Sequence, residues 1–532
     1  MKIVIADSIS ERGLALLRET KWVIAQPAPP ALAGELGDAE GLIVRSATRV
    51  TAELLDSAPR LRVVGRAGVG VDNIDLDAAT ERGVLVMNTP GSSSVSVAEH
   101  TLALLLSLAR SVPQLSAAFH AGKWEKSGAA GVEIRGKVLG LVGLGRIGLE
   151  VARRARALEM KIIAHDPFIS ANLAREADVE LVAWPELLAR SDFVSLHAAV
   201  SPATEKMMNA AAFAAMKPGA RLINAARGEL VDEGALADAL RSGRLAGAAL
   251  DVFDEEPPLN TPLRGLPNVL ATPHVAASTR EAQEEVGFLI AQQVRDFLAE
   301  GLLRSAVNLP TLTPEQFRRL KPYLDLAGRL GSMLAQVAPG RMGRVRITYS
   351  GQPAELGASV LRNAVLQGLL DRVLEEKVNL VNAAAVAAAR GMVVEEHTRR
   401  RERGFPDTLE VALLGVGGEG EGNGRTVAIE GTVLHGTSPR VLAIDGIELE
   451  APLEGIILYT RNRDVPGVIG QMGTILGSRG INIATFALGR REATLGAEAI
   501  ALVRLDGEVP DSIVQPIRGI PGVTEARLVR LR

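Results

Sequence analysis

Three polar residues in the middle of the chain are of types suited to proton-transfer chemistry on an anionic substrate. His274 lies in TPHVAAST (272–279), between a proline and a run of small residues, in a 532-residue chain that holds only seven histidines. Upstream, LINAARGELVDEGALADALRSGRLAGAALDVFDEEP (222–257) carries Arg227 and Glu256, with Asp251 between them. An imidazole exchanges its proton near neutral pH. A guanidinium presents a planar fork of donors that fits a carboxylate. Each of these segments follows a strand-like apolar run. Taken alone, a loop histidine is commonly solvated and a DEEP run commonly faces water, so the residue types leave both readings open.

A second constellation lies upstream. VLGLVGLGRIGLEVARRA places Gly143-x-Gly145-x-x-Gly148 directly after an apolar strand and at the start of a helix, with Asp166 ending the next strand. The spacing alone is weak in a chain with 54 glycines, and the strand–turn–helix context gives it force. Gly143 permits the tight turn, Gly145 lets the backbone approach a pyrophosphate, and Gly148 allows close helix–strand packing. The helix N-terminus adds N–H donors and positive potential. Asp166 can accept from both ribose hydroxyls and would repel a 2′-phosphate. Pro167 follows it and no arginine is adjacent. NAD is therefore expected rather than NADP. The bland alternative is a glycine turn in an ordinary βαβ unit.

These residues need a scaffold that delivers strand ends to one edge. KIVIAD (2–7), GLIVRS (41–46) and LRVVGRAG (61–68) alternate with helical segments in the first third. From about 135, KVLGLVG, KIIAHD, FVSLHA, ARLINAA, GAALDVF and NVLATPH give six further strand candidates. Alternating β and α predicts parallel sheets covered by helices on both faces, with ligands beyond the carboxyl ends of the strands. The expected fold class is therefore α/β, with two Rossmann-like, doubly wound lobes. Near 310 the pattern changes: VNLPTLTPEQFRRL reads as a linker opening a helix, and a mixed α/β domain follows. It contains the helical VNLVNAAAVAAARG, the glycine-rich GVGGEGEGNG (415–424) read as a hairpin loop, and the basic HTRRRERG (397–404). The last 78 residues give strands at GIILYTRN, INIATFALGR, AEAIALVRL and VTEARLVR. With helices at DVPGVIGQMGTILGSRG and from Pro510, the order is a ferredoxin-like βαββαβ.

Composition sets the remaining bounds. The length predicts several domains. A net charge of −3 gives no ground for a nucleic-acid or anionic-membrane partner. The absence of cysteine excludes disulfides, thiolate catalysis and Cys-ligated zinc, and no metal site is expected. MKIVIADSIS is too short in its apolar run for a signal peptide. HTLALLLSLAR (100–110) is shorter than a bilayer span and reads as a buried or interface helix. A cytoplasmic enzyme is the expectation.

Across these motifs the chain resembles the D-2-hydroxyacid dehydrogenase family, and specifically its long branch with an intervening domain and an ACT domain. The resemblance covers essentially the whole chain and is most specific across 140–280. It implies that His274 is the acid–base, Glu256 its partner carboxylate, and Arg227 the residue that holds the 2-hydroxy carboxylate and polarises the carbonyl. It implies that Asp251 anchors the nicotinamide amide, that Arg146 and Ile147 present the pyrophosphate-binding backbone, and that Ala198 and Ala225 line the cofactor cleft. In the smaller lobe, Gly68 and Val69 would bind the substrate carboxylate through backbone N–H groups, and Arg45 with Ser46 would suit a phosphate. His165 and His197 would border the cleft, while His100, His120, His397 and His435 would be structural or exposed.

The implied domains are 1–97 with 284–310 for substrate, 98–283 for NAD, 312–452 intervening, and 455–532 ACT. The implied reaction is NAD-dependent oxidation of 3-phospho-D-glycerate to 3-phosphooxypyruvate, opening phosphorylated L-serine biosynthesis. Two crossings between the first pair of domains would make a hinge, with cleft closure as the motion. VSVAEHTLALLLSLARSV would pack against its mate in a homodimer or homotetramer. Asn462, Asp464 and Asn482 match positions that grip L-serine in related ACT domains, with subunit assembly as the alternative role, and Arg399, Arg400, Arg401 and Arg403 would help hold a phosphorylated ligand. A glyoxylate or hydroxypyruvate reductase shares the Arg/Glu/His set. So does a non-catalytic NAD-sensing corepressor, although no nucleic-acid- or peptide-binding extension is visible.

Overall fold

The computed structural model describes the whole chain except residues 125–129, 311, 339, 341, 375–376, 401–403, 417–424 and 532. It divides into two compact units, one of Met1–Ser8, Ala15–Asn88 and Ile290–Arg532, the other of Ile9–Leu14 and Thr89–Leu289.

The second unit is built on a seven-stranded sheet. Its spatial order is Val269–Ala271, Leu245–Leu250, Ala220–Asn224, Phe193–Leu196, Val138–Val142, Lys161–His165 and Glu180–Leu181. Every neighbouring pair is parallel. Six of these strands are the six expected ones. The seventh, Glu180–Leu181, has two residues, too few to show a periodicity. The central strands are continuous apolar runs because helices cover both faces. Ser94–Arg110 and Arg146–Ala157 bury Ala98, Leu105, Val151 and Ala155 on one face. Trp184–Arg190, Ala210–Ala215 and Glu233–Arg241 bury Leu187, Phe213 and Leu236 on the other.

HTLALLLSLAR is thus the inner part of Ser94–Arg110, with Leu104, Leu105 and Leu108 buried. Among the described residues no single helix is long and apolar enough to cross a membrane. Ser94–Arg110 and Val112–His120 pass by length and composition only as a pair bent by 68°.

The first unit holds three sheets. A five-stranded parallel sheet runs in the order Val23–Ala25, Lys2–Ile5, Gly41–Val44, Val63–Arg66, Leu85–Met87. The helix Arg280–Glu300 returns to it, placing Ile290 and Val294 where a Cβ on Gly65 would meet them.

The expected linker helix is Pro314–Val337, opened by a capping box between Thr313 and Gln316 worth about 1 kcal/mol. It packs on Ala358–Leu370 beside a six-stranded sheet. That sheet orders Val393–Thr398, Arg344–Ser350, Thr408–Val416, Arg425–Leu434, Ser438–Ile444 and Ile447–Pro452, antiparallel except for its first pair. VNLVNAAAVAAARG is helical only over Ala383–Ala389. Its opening residues form a turn in which Asn379 donates to Gly83 O at 2.7 Å and Asn382 to Glu81 O at 3.4 Å, tying this domain to the five-stranded lobe. The expected hairpin loop falls mostly on 417–424, outside the described residues, as do Arg401 and Arg403 of the basic cluster. Arg399 is paired with Glu430 at 3.1 Å and Glu410 at 3.9 Å, so its charge is already balanced by carboxylates.

The C-terminal sheet is antiparallel, in the order Ile483–Arg490, Glu498–Leu505, Ile456–Arg463, Val523–Arg530. Helices Val468–Gly477 and Val514–Arg518 cover one face through Leu458, Met472, Val503 and Ile517, which gives the ferredoxin-like arrangement. Ile457, Tyr459, Ile500 and Val529 are also buried, so the sheet has no bare face. The intervening domain contributes to that cover. Arg461 pairs with Asp445 and Glu498, and Arg425 reaches Asp445 at 2.8 Å. Gln336 exchanges hydrogen bonds with the backbone of Arg530.

Candidate active site

The order of the seven-stranded sheet reverses between Val138–Val142 and Phe193–Leu196, which opens a crevice at their carboxyl ends. The glycine loop sits there. Gly143 has φ +92°, and a Cβ on it would lie 2.7 Å from His197 O. A Cβ on Gly148 would lie 2.4 Å from Gly143 O, so the helix can approach the strand only with glycine at this position. Nothing lies within 4 Å of the Gly145 Cβ direction, and helix Arg146–Ala157 starts there without a side-chain cap. Its first N–H groups are therefore left for a ligand. Asp166 is fixed by Leu144 N–H at 2.8 Å and Phe168 N–H at 2.9 Å. Ala225 and Ile147 lie in one small apolar cluster with Val97, Ala276 and Ala277. Arg146 bonds Pro90 O. Ala198 follows His197, at the end of the neighbouring strand. A cradle that side chains would fill, with free N–H groups and a carboxylate at the next strand end, fits a dinucleotide.

On the same edge of the sheet, His274 Nδ1 lies 2.7 Å from Glu256 Oε2. A carboxylate can only accept, so Nδ1 carries the hydrogen and Nε2 is left to exchange a proton. Glu256 Oε1 accepts from Phe253 N–H at 3.2 Å, which orients the carboxylate. The hydrogen bond that His274 donates to Glu256 holds the imidazole above its ordinary value, against the opposing effect of burial. Burial, the largest single effect, raises the carboxyl of Glu256, but the hydrogen bond and charge of His274, the Phe253 N–H and the charge of Arg227 together hold the group below the ordinary value. Arg227 lies near enough for its charge to act on both groups. Asn224 fixes the Arg227 loop, donating to Arg227 O at 2.8 Å and accepting from Ala226 N–H at 3.0 Å. A cavity of about 590 Å³ opens beside the pair, lined by Phe253, Pro257, Leu263 and Val269 among others. Asp251, Glu256, Thr272 and His274 line it as well.

Asp251 is fully buried and organises the histidine loop. Oδ1 accepts from the Thr272 hydroxyl at 2.5 Å and Val275 N–H at 2.9 Å, and Oδ2 accepts from Ala276 N–H at 2.8 Å. Its backbone carbonyl takes His274 N–H at 2.8 Å. Two residues that sequence reasoning left out, Asn224 and Thr272, belong to this arrangement, and His100, expected to be structural or exposed, joins it with Nε2 3.1 Å from Thr272 Oγ1. Nothing in their residue types marks them, because their roles depend on contacts between distant elements. His197 lies against the glycine loop through its backbone carbonyl, while its side chain turns inward: Nε2 meets Ser195 Oγ at 2.9 Å, and burial pushes its imidazole down to about 4. His165 bonds Val182 O and rests against Trp184.

In the other unit, Arg45 donates from its backbone to Asp7 at 2.6 Å and from its guanidinium to Ser8 O at 3.3 Å, and Ser46 is exposed. Gly68 is buried, with φ +147°, and the Arg66 guanidinium occupies the space a Cβ there would need. Val69 is 38% exposed. In the C-terminal domain the three expected effector residues are engaged separately. Asn462 donates to Arg463 O, Asp464 accepts from Arg490 at 3.2 Å, and Asn482 donates to Asp506 at 2.8 Å.

Comparison with known proteins gives the family. The D-isomer specific 2-hydroxyacid dehydrogenase NAD binding domain matches residues 102–276. The D-3-phosphoglycerate dehydrogenase intervening domain matches 319–445, and the ACT domain 456–522. The D-3-phosphoglycerate dehydrogenase of Methanocaldococcus jannaschii is 39% identical over 100% of both chains. That of Bacillus subtilis is 38% identical over 100% of this chain and 99% of its own. A glyoxylate reductase structure from Paecilomyes thermophila superposes with a TM-score of 0.53 at 30% identity, covering 58% of this chain and 98% of the reductase. With relatives at this identity spanning it end to end, the chain belongs to the D-3-phosphoglycerate dehydrogenase family and is an NAD-dependent D-2-hydroxyacid dehydrogenase.

Proposed function

We propose that the chain oxidises 3-phospho-D-glycerate to 3-phosphooxypyruvate with NAD, the entry step to L-serine. The 2.7 Å pair of His274 and Glu256, next to the Arg227 loop and the nucleotide crevice, carries the reading. Arg227 holds the substrate carboxylate and draws electron density toward the forming carbonyl. His274 Nε2 takes the hydroxyl proton, and Glu256 stabilises the resulting imidazolium through Nδ1–H. Bound NAD supplies the hydride acceptor. The loop N–H groups and Asp166 hold its pyrophosphate and ribose, with Ile147, Ala198 and Ala225 along the crevice. The lone pairs left on Asp251 Oδ2 suit the nicotinamide amide. In the reverse direction the raised imidazole keeps its proton to higher pH and donates it to the ketone.

Arg45 and Ser46 are assigned to the phosphate, and Gly68 and Val69 to the carboxylate. The reductase likeness spans little more than half the chain, whereas the phosphoglycerate dehydrogenases span all of it, which favours the phosphorylated substrate. NADH formation with a panel of 2-hydroxy acids tests this. 3-Phosphoglycerate should be preferred over glycolate and glycerate, and Arg45→Ala should raise its KM strongly while sparing NAD affinity. Equal use of the unphosphorylated acids, or equal losses on them, would refute the assignment.

The assembly is proposed to be a homodimer or homotetramer in the cytoplasm, with Ser94–Arg110 packing against its mate. The domain bounds implied by the sequence are retained as part of the proposal. The ACT domain would bind L-serine through Asn462, Asp464 and Asn482. Calorimetry with millimolar L-serine decides, since neither heat nor inhibition would leave assembly as the domain's role.

A further inference from the structure

One helix grips the acid–base loop at three points. On Ser94–Arg110, Ser96 Oγ lies 2.6 Å from Thr279 Oγ1, at the end of TPHVAAST. Val97 packs in a cluster with Ala276. One turn on, His100 Nε2 lies 3.1 Å from Thr272 Oγ1, at the start of the loop, and 3.4 Å from Asp251 Oδ1. Residues four apart share a helix face, so Ser96 and His100 meet the two ends of the loop together. The Thr272 hydroxyl hydrogen is committed to Asp251 at 2.5 Å. Toward His100 the hydroxyl oxygen therefore accepts, and His100 Nε2 donates. The donor chain runs from His100 through Thr272 to the buried Asp251, which fixes Val275 N–H, Ala276 N–H and, through its carbonyl, His274 N–H. His274 has φ +52°, a left-handed conformation that non-glycine residues hold only when their surroundings impose it.

We propose that His100 is a positioning residue for the reaction: through Thr272 and Asp251 it holds the loop in the conformation that aims His274 at Glu256 and the substrate. This rests on the acid–base reading of His274. Charged groups facing His274 are Glu256, Asp251 and Arg227, and Asp251 faces His100.

The test compares His100→Leu, which lacks the donor, with His100→Gln, which places an N–H near the position of Nε2. Loosening the loop weakens the bond between His274 and Glu256, so less stabilisation of the imidazolium remains. His100→Leu is expected to lower kcat about tenfold with KM and NAD affinity nearly unchanged. The His274 titration, followed by NMR of isotope-labelled histidine and assigned by its loss in His274→Gln, should move to lower pH. His100→Gln should restore most of both. The titration needs no turnover, so it judges the positioning role even if the chain proves to act on another hydroxy acid or on none. Thr272→Val breaks the same link from the loop side and takes the place of His100→Leu should that variant fail to fold. A wild-type His274 titration in the donor-less variant overturns the proposal, as does equal impairment of the Leu and Gln variants.

Discussion

Glu256 governs which proton state His274 holds. In the proposed reaction oxidation needs the neutral His274 imidazole, and the partner carboxylate raises its proton affinity, so the oxidative rate should rise as pH climbs through a value above the ordinary 6.5. Reduction needs the imidazolium and should fall through the same range. Removing the ring in His274→Ala is expected to lower kcat by about 10²–10⁴, measured by NADH formation, with NAD affinity retained. A loss below threefold would mean that another group moves the proton. His274 and Glu256 stood out as candidates through the family resemblance of their segments, since their residue types alone left a solvated loop open. Their pairing through Nδ1 was not legible, because it depends on a loop held by Asp251 and Thr272, residues whose types are common in ordinary turns.

Among elements, the glycine loop is the most legible from sequence: strand, turn and helix are adjacent, so local rules determine their geometry. The two-residue strand Glu180–Leu181 and the brace from Ser94–Arg110 were not legible, since one is too short for a pattern and the other joins residues more than 170 positions apart. The apparent helix at 378–391 shortened to Ala383–Ala389 because Asn379 and Asn382 use their side chains to cap backbone groups instead. Gly148→Ala tests the loop. Its Cβ would meet Gly143 O, a backbone atom, and overpacking of this kind costs about 1–3 kcal/mol. Calorimetry should show weakened NAD binding with the rest of the fold intact by circular dichroism. Unchanged affinity would mean that the loop adapts freely.

At the scale of the whole chain, the intervening and ACT domains share a buried ionic junction. Arg461 and Asp445 each have side chains only 10% exposed, and Arg425, Glu498 and Arg491 extend the network. Removing one partner leaves buried charge uncompensated, at a cost of about 3–5 kcal/mol. Asp445→Asn should lower the denaturant midpoint of the first unit accordingly. An unchanged midpoint would show that water replaces the carboxylate without penalty. The domain sequence and the ferredoxin-like unit could be read from strand and helix order. The junction could not, because a charged residue within a strand, such as Arg461, reads as solvent-facing until its partner's position is known.

The most direct measurement is kcat for 3-phosphoglycerate oxidation against pH, in wild type and Glu256→Gln. The wild-type acidic limb should lie above 6.5, and in Glu256→Gln it should move to lower pH with a reduced plateau. A limb that stays in place when the carboxylate is removed would contradict His274 and Glu256 acting as one acid–base pair.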